Sequence, residues 1–389
     1  SNRKSHAKNR DILVVRDTVK ALGKLANHYR NDCGFKVVAI TGSAGKTSTR
    51  RITHHILSKH FKCHQAKRSF NNNIGVPLTI LGADPDCRIV ITEMGTNNPG
   101  EIKPLSKIAE PDFALVNNIF AAHLQGLKTI ENIVAEKSSI AAGLKPWGKL
   151  LINADFPKLL DYCREHLPEF ITFGTTKDSN VYASKLISTG TSGRLTIEKK
   201  EIKVPLPGRG NLANALAAFA ICSQFEIDAD QFANDINSLS PIKMRMEVES
   251  FGPVTVINDC YNANPASMNN AVQTLADMAS RSKRRSVFIC GHMGELGEHA
   301  EQLHQQLGQN IGKAGINILI TAGPFAESIA DNAQLGSDNA TVTSIYEDTA
   351  ELCENLNDLL LPDDIILIKG SRAAMLEEAV NTIARIFKN

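Results

Sequence analysis

FKVVAITGSAGKTST, residues Phe35–Thr49, decides the fold of this chain. Val37, Val38 and Ile40 form an apolar, β-branched run that breaks at Thr41-Gly42. The chain then turns through Ser43-Ala44-Gly45 and opens a helix at Lys46-Thr47. A buried parallel strand that leads through glycines into a helix N-terminus is a phosphate cradle, because backbone N–H groups and the helix dipole both favour an anion there. In this reading Gly42, Ser43, Ala44, Gly45, Lys46, Thr47 and Ser48 surround the phosphates of a nucleotide. Lys46 reaches the β/γ-phosphates from a solvent-facing turn, and the Thr47 hydroxyl holds Mg²⁺. The bland alternative is a Gly-rich strand-to-helix turn with a surface lysine. Strand, glycines, Lys-Thr and helix nevertheless stand in the order that nucleotide binding needs.

Bulk properties set the bounds. A chain of 389 residues has room for two or three domains, each with its own core. Hydrophobic residues make up 42% and charged residues 22%, the balance of an ordinary globular protein. A formal net charge of +2 gives no reason to expect a nucleic-acid or anionic-membrane partner. The eight cysteines stand singly, with no C-x-x-C pair, so reduced core thiols and a cytoplasmic location are expected rather than a zinc or disulfide framework. Apolar runs fall short of the ~20 residues of a membrane helix, and no signal peptide is expected.

Outward from the loop, residues 1–11 read as a basic, frayed lead-in. Residues 12–30 place Leu13, Val14, Thr18, Ala21, Leu22 and Leu25 near helical spacing, which predicts an amphipathic helix ahead of the nucleotide strand. The loop helix is expected over about 46–60. Asn71-Asn72-Asn73 before Gly75-Val76-Pro77 is turn chemistry entering another helix. Arg88–Thr92 reads as a buried strand ending at Glu93, and a carboxylate at that end beside the cradle suits a Mg²⁺ ligand. Phe113–Asn117 is the next strand, which puts His123 on the same rim. A helix over 129–142 carries Lys137, on its own an ordinary solvated lysine. A strand follows at 148–156. Short alternating runs over 170–206 predict an antiparallel hairpin sheet appended to the parallel core. An Ala-rich helix spans 212–225. Beyond a boundary near Leu239-Ser240-Pro241, strands at 254–259, 286–290, 316–321, 341–345 and 364–368 alternate with helices, predicting a Rossmann-like sheet.

The short loop Thr41–Ser48, T-G-S-A-G-K-T-S, resembles that of the Mur ligase family, ATP-dependent amide-bond-forming enzymes of peptidoglycan assembly. Further segments agree in order. Ser69–Pro77 is similar to the S-F-N-N-x-I-G-V-P of the branch that adds D-Ala-D-Ala, which implies Asn71 and Asn72 on the substrate side. Glu93 through Ile102 is similar to E-x-G-x-x-x-x-G-E-I, with Glu93 at the metal. Asn118, Ile119, Ala122 and His123 keep N-I-x-x-A-H, which implies His123 at a second metal. Lys137 stands at the lysine that the family carbamylates, its new carboxylate serving the metal, although Ser138-Ser139 replace the usual Gly-Glu. Asn211 matches an adenine-holding Asn, while Gly210 replaces the preceding His. Later come D-x-Y-N-A-N-P (Asp259–Pro265), G-x-M-x-E-L-G (Gly291–Gly297, with His292 for the usual Asp) and K-G-S-R (Lys369–Arg372).

The resemblance implies a P-loop parallel-sheet ATPase domain with an appended antiparallel sheet, followed by a Rossmann-like C-terminal domain. The expected divisions are 1–33 (lead-in and linker helix), 34–240 and 241–389. It implies an acyl phosphate made with ATP and two Mg²⁺, then attacked by an amine. Arg245 would lie at the hinge and Asp259 at the ribose or phosphates. Asn262, Asn264, Lys369, Ser371 and Arg372 would face the substrates. Lys46, Glu93, His123 and Lys137 form the catalytic set, and Thr47, Glu93, His123 and Lys137 the metal set. The partners implied are small-molecule substrates, a nucleotide-sugar peptide and a dipeptide, and the protein is expected to be a monomer. About thirty residues precede the nucleotide strand, too few for the family's UDP-binding N-terminal unit, so most of that unit is expected to be missing. Two alternatives remain: a ligase joining another acid and amine, of folate, cyanophycin or cofactor-amidating type, and an ATP-binding partner subunit without catalysis.

Overall fold

The nucleotide strand β1 (Lys36–Thr41) sends side chains into two buried layers. In the computed structural model, which describes residues 13–67, 69–336 and 341–388, Val38 and Ile40 join one layer while Val37 and Ala39 join the other. A strand covered on both faces must be apolar throughout, which is why the run in the sequence is continuous rather than alternating. Around it lie β2 (Cys63–Gln65), β3 (Ile89–Glu93), β4 (Phe113–Val116), β5 (Lys149–Asn153), β6 (Ile171–Gly174), β7 (Val181–Ser188), β8 (Gly193–Ile197) and β9 (Lys200–Val204). Their spatial order is β2-β3-β1-β4-β5-β6-β7-β8-β9. Helices Lys46–Leu57, Arg209–Cys222 and Ala229–Ile236 cover one face. Helices Thr18–Cys33, Gly75–Leu81, Ile102–Ala109, Ile130–Ser138 and Pro157–His166 cover the other.

Register decides where the chemistry falls. β1 pairs in parallel with β3 (Ile40 opposite Glu93) and with β4 (Thr41 opposite Val116). The C-terminal ends of three strands therefore share one rim, the position where open α/β sheets take ligands.

The second sheet comprises β10 (Glu247–Phe251), β11 (Val254–Asn258), β12 (Ser286–Gly291), β13 (Ile318–Ala322), β14 (Val342–Tyr346) and β15 (Ile365–Lys369), in the order β10-β11-β15-β12-β13-β14. Again the layers split by alternation, with Ile257, Phe288 and Leu367 on one face and Val256, Ile289 and Ile368 on the other. The chain is thus an α/β protein built on two wound sheets.

Several expectations need correction. The first helix starts at Thr18, because the Asp17 carboxylate accepts from the N–H groups of Val19 and Lys20 at 3.0 Å and caps it; Leu13 and Val14 lie ahead of it, exposed. The helix over 129–142 is α-helical only to Ser138 and tightens to a 3₁₀ turn over Ser139–Gly143. The antiparallel hairpins, by contrast, are appended to the parallel core as expected, within one continuous sheet. β6 pairs in parallel with β7, and β7-β8-β9 continue the first sheet as hairpins. Strand β10 escaped the sequence reading; it pairs antiparallel with β11 across a turn at Gly252, whose φ of 54° is left-handed. The basic lead-in, 1–11, lies outside the described residues.

Candidate active site

A cleft of about 1230 Å³ opens where the two sheets face each other, lined from one side by the loop Ser43–Ser48 and from the other by Asp259, Asn262, Asn264, His292, Glu295, Lys369 and Ser371. The loop is held by two asparagines that follow β4. The Asn118 carbonyl accepts from Ser43 N–H (3.2 Å), and its side-chain oxygen accepts from Ala44 N–H (2.8 Å). Asn117 donates to Ala44 O and to the side-chain oxygen of Asn214 (2.9 Å). Gly45 has a φ of 76°, and a Cβ there would lie 2.1 Å from that Asn214 oxygen, so only glycine fits. Asn117 and Asn214 are supports that sequence reading missed; a doubled Asn at a strand end was the one available signal. Among the described residues no side chain caps the helix that starts at Lys46, which leaves its N-terminus facing the cleft.

Lys46 is half-buried rather than solvent-facing. Its amine folds back and donates to Gly42 O at 2.7 Å, and burial, together with Arg245 nearby, pulls its pKa down against the opposing fields of Glu93 and Glu295. Thr47 Oγ1 donates to Glu93 Oε2 at 3.1 Å. Glu93, 1% exposed, gives its other oxygen to Arg50 Nε at 2.6 Å, so the carboxylate is fixed and its Oε2 faces the cradle. Ser48 is buried in the first turn of the helix.

Lys137 overturns its bland reading. It is 1% exposed, and among the described residues its Nζ has no hydrogen-bond partner. The neighbouring Glu136 does not serve it, because its two oxygens accept from Gly100 N–H (2.7 Å) and Ile102 N–H (2.8 Å). Burial drives the Lys137 pKa well below its ordinary value, and the charge of Lys46 pushes the same way. A buried amine with no partner among the described residues, its charged form disfavoured by burial, is the kind of nucleophile that CO₂ can modify.

The remaining residues sort by what they touch. His123 (φ 56°) shares a hydrogen bond across the cleft with Glu295, whose backbone carbonyl accepts from Gln125 N–H at 3.2 Å. Arg245 lies over the Tyr261 ring (4.1 Å) and donates to Thr47 Oγ1 at 3.4 Å, joining the two sides at the expected hinge. Asp259 accepts from Lys369 Nζ at 2.6 Å and from Met246 N–H, and Lys369 also donates to Asn262 O. Both charges are buried in that pair, so neither presents a free ion to the cleft. Asn264 caps helix Pro265–Ser282 and donates to Ser43 O at 3.2 Å. Asn72 accepts from Gly75 N–H within its own turn, and Asn71 packs against Gly95. Asn211 donates to Pro207 O at the cleft wall. At Gly210, where the resemblance led to a His, the backbone N–H donates to Asn270 Oδ1 at 2.7 Å; a Cβ would lie 3.0 Å from that side chain. Arg372 is exposed and paired with Glu377.

Mg²⁺ fits by donor chemistry rather than by a ready-made cluster. Among the described residues no three His, Cys, Asp or Glu side chains gather to hold a metal. Thr47 Oγ1 and Glu93 Oε2 are adjacent hard oxygens at the cradle, the donors Mg²⁺ prefers. A carbamate on Lys137 would supply a second carboxylate in place of an amine that has no partner among the described residues.

Residues 40–222 match the Mur ligase middle domain and residues 244–372 the Mur ligase glutamate ligase domain. The chain belongs to the Mur ligase family. It is 32% identical over 378 residues to the UDP-N-acetylmuramoyl-tripeptide–D-alanyl-D-alanine ligase of Bacillus subtilis (strain 168), covering 96% of this chain and 81% of that protein. The enzyme of the same name from Escherichia coli (strain K12) is 33% identical, with 95% and 82% covered. Among solved structures, MurF from Acinetobacter baumannii superposes with a TM-score of 0.88 at 27% identity, covering 96% of this chain and 82% of that one. MurF ligase from Thermotoga maritima in complex with ADP gives 0.84 at 25% identity, covering 99% and 88%.

Proposed function

We propose that this chain uses ATP to join D-alanyl-D-alanine to a UDP-N-acetylmuramoyl tripeptide in the cytoplasm, as a monomer working on small-molecule substrates. The observation that carries the reading is a helix N-terminus bearing Lys46, without a side-chain cap among the described residues, with the buried Lys137, which has no hydrogen-bond partner among them, within its electrostatic reach. A protein that only bound nucleotide would need the first and not the second.

In this reading the acid's carboxylate oxygen bonds to the γ-phosphorus of ATP as the bond to the β-phosphate breaks. The amine nitrogen then bonds to the acyl carbon, phosphate leaves and the amine's extra protons pass to solvent. The loop N–H groups and Lys46 gather the phosphates, and for that the Lys46 amine must leave Gly42 O, a move of one flexible side chain. Thr47 and Glu93 would hold one Mg²⁺, and His123 with carbamylated Lys137 a second; bound Mg²⁺ neutralises phosphate charge and aligns the groups. Arg50 holds the Glu93 carboxylate in place, aimed at the cradle. Asn211 would hold the adenine, and Asn264 and Arg245 draw the two sides together over the substrates. Enclosure matters because an acyl phosphate exposed to water hydrolyses.

The test is phosphate release from ATP with UDP-muramoyl tripeptide present, with and without D-alanyl-D-alanine. Release that depends on the dipeptide is expected. Release with other acid–amine pairs only would favour the alternative ligase, which Gly210 and His292 keep open. No amine-dependent release with any pair would leave a binder.

A further inference from the structure

We infer that Glu295 is the anionic subsite that receives the ammonium group of the incoming amine, an assignment that deepens the ligase reading and rests on it. An α-amino group has a pKa near ~7.7–8.0, so the second substrate arrives mostly as a cation. It must reach the acyl carbon beside the phosphate cradle, where Lys46 and Arg245 already set a positive field. A cation enters such a place only if a carboxylate there is free to meet it.

Four carboxylates line the cleft, and three are engaged. Glu93 is fixed to Arg50, Asp259 to Lys369, and Glu101 accepts from the N–H groups of Asn97 and Asn98 in its own turn. Glu295 is the fourth. Among the described residues it has no lysine or arginine partner; it touches the imidazole of His123 and lies within electrostatic reach of Lys46. Its side chain is 50% exposed, open to a ligand entering the cleft.

The backbone supports a presenting role. Glu295 has φ 62°, a left-handed conformation that a non-glycine residue holds only when its surroundings fix it. Contacts on the residues just before it hold the segment that carries Glu295. Met293 N–H donates to His304 Nε2 at 2.8 Å, and Ser371 meets His292 twice, through its N–H to the His292 carbonyl (2.8 Å) and through its hydroxyl to Nε2 (3.1 Å). Where the family resemblance led to Asp at 292, this chain has a half-buried imidazole, so Glu295 is the carboxylate left on that loop. It acts as a charge on the amine, not as its base.

The experiment is steady-state ligation by the full chain with ATP and UDP-muramoyl tripeptide fixed and D-alanyl-D-alanine varied, for the parent, Glu295→Gln and Glu295→Asp. D-lactyl-D-alanine, which replaces the amine by a neutral hydroxyl, is run as a competitive inhibitor. Glu295→Gln should raise the KM for the dipeptide about tenfold or more while the ATP KM stays within about twofold, and Glu295→Asp should fall between. The inhibition constant of the hydroxyl analogue should not move, because that ligand carries no charge to lose. An unchanged dipeptide KM in Glu295→Gln overturns the inference and leaves the ligase reading standing. So does an inhibition constant that rises in step with KM, since the residue would then shape the pocket rather than bind a cation. A parent that turns over with other substrates only overturns the reading and the inference with it.

Discussion

Lys137 sets chemistry against stability in a single side chain. Its amine is buried with no partner among the described residues, so the fold tolerates a group that an apolar chain of equal length would improve. Lys137→Met should therefore raise stability, by about 1–3 kcal/mol in CO₂-depleted buffer, and abolish ligation. Lys137→Ala should be nearly inactive, by roughly a hundred- to a thousandfold, and partly rescued by acetate, whose oxygens replace those of the carbamate. Lys137→Arg keeps the charge and should stay dead. Thermal melts and phosphate release on the same preparations check all three, and an active arginine variant would remove the carbamate from the mechanism. Lys46→Ala should leave the melting temperature close to that of the parent, since the amine's one strong contact is with its own loop, and should cost turnover by a similar factor. These residues were legible unequally. Lys46 announced itself by its place in the loop, whereas the burial of Lys137 depends on which face of helix Ile130–Ser138 meets the sheet, and that is decided by residues far away in the chain.

At the scale of elements, the strands were the readable part. Those covered on both faces, such as β1, β3 and β15, carry an unbroken apolar run with polar residues only towards their ends, and could be found without neighbours. β10 could not, because Glu247, Val248 and Glu249 are only half-buried at a sheet edge and its sequence mixes charge with a single apolar anchor. Helix Ala300–Lys313 holds another unread feature, the core imidazole of His304. Its Nδ1 lies 2.7 Å from Ala300 O, its Nε2 accepts from Met293 N–H, and its ring stacks on Phe325 at 4.1 Å. Burial lowers its pKa; His292 nearby pushes the same way and Glu301 opposes. His54 is lowered to about 4 by burial and by Arg50 beside it. Folding disfavours the charged form of both, whereas each takes a proton near its ordinary value of 6.5 once unfolded. The unfolded state then binds more protons as pH falls from 6.5 towards about 4, so stability should fall across that window and be level on its histidine account above it. Melting temperatures at a series of pH values should show this. His304→Gln, which can still donate and accept, should give a shallower slope; an unchanged slope would mean that His304 does not titrate between the two states.

The whole molecule is two cores facing one cleft, and its working depends on how loosely they are joined. The hydrogen bonds that cross among the described residues include Asn264 to Ser43 O, Arg245 to Thr47, Asn270 to Gly210 N–H, Ser188 to Asp277, Arg281 to Ser188 O, Gln125 N–H to Glu295 O and Glu295 to His123. Such an interface favours relative motion of the halves. The apolar exception is Leu303, which packs against a core layer of the first sheet and a core layer of the second. No periodicity could have singled it out, since it reads as one more apolar position of an amphipathic helix. Because it is only partly buried, Leu303→Ala should cost about 1–2 kcal/mol, at the low end for a leucine truncation. Its larger effect should be on coupling. Calorimetry of the variant should resolve two unfolding steps where the parent shows one, because each half keeps its own core while the apolar link is gone. Saturating Mg–ATP, which touches both sides of the cleft in the proposed mechanism, should draw the two steps together and add about 2.7 kcal/mol at a hundred times its Kd. Nucleotide that shifts only the first step would mean that it binds to the loop without closing the second half over it, and the enclosure of the acyl phosphate would then have to come from the peptide substrates.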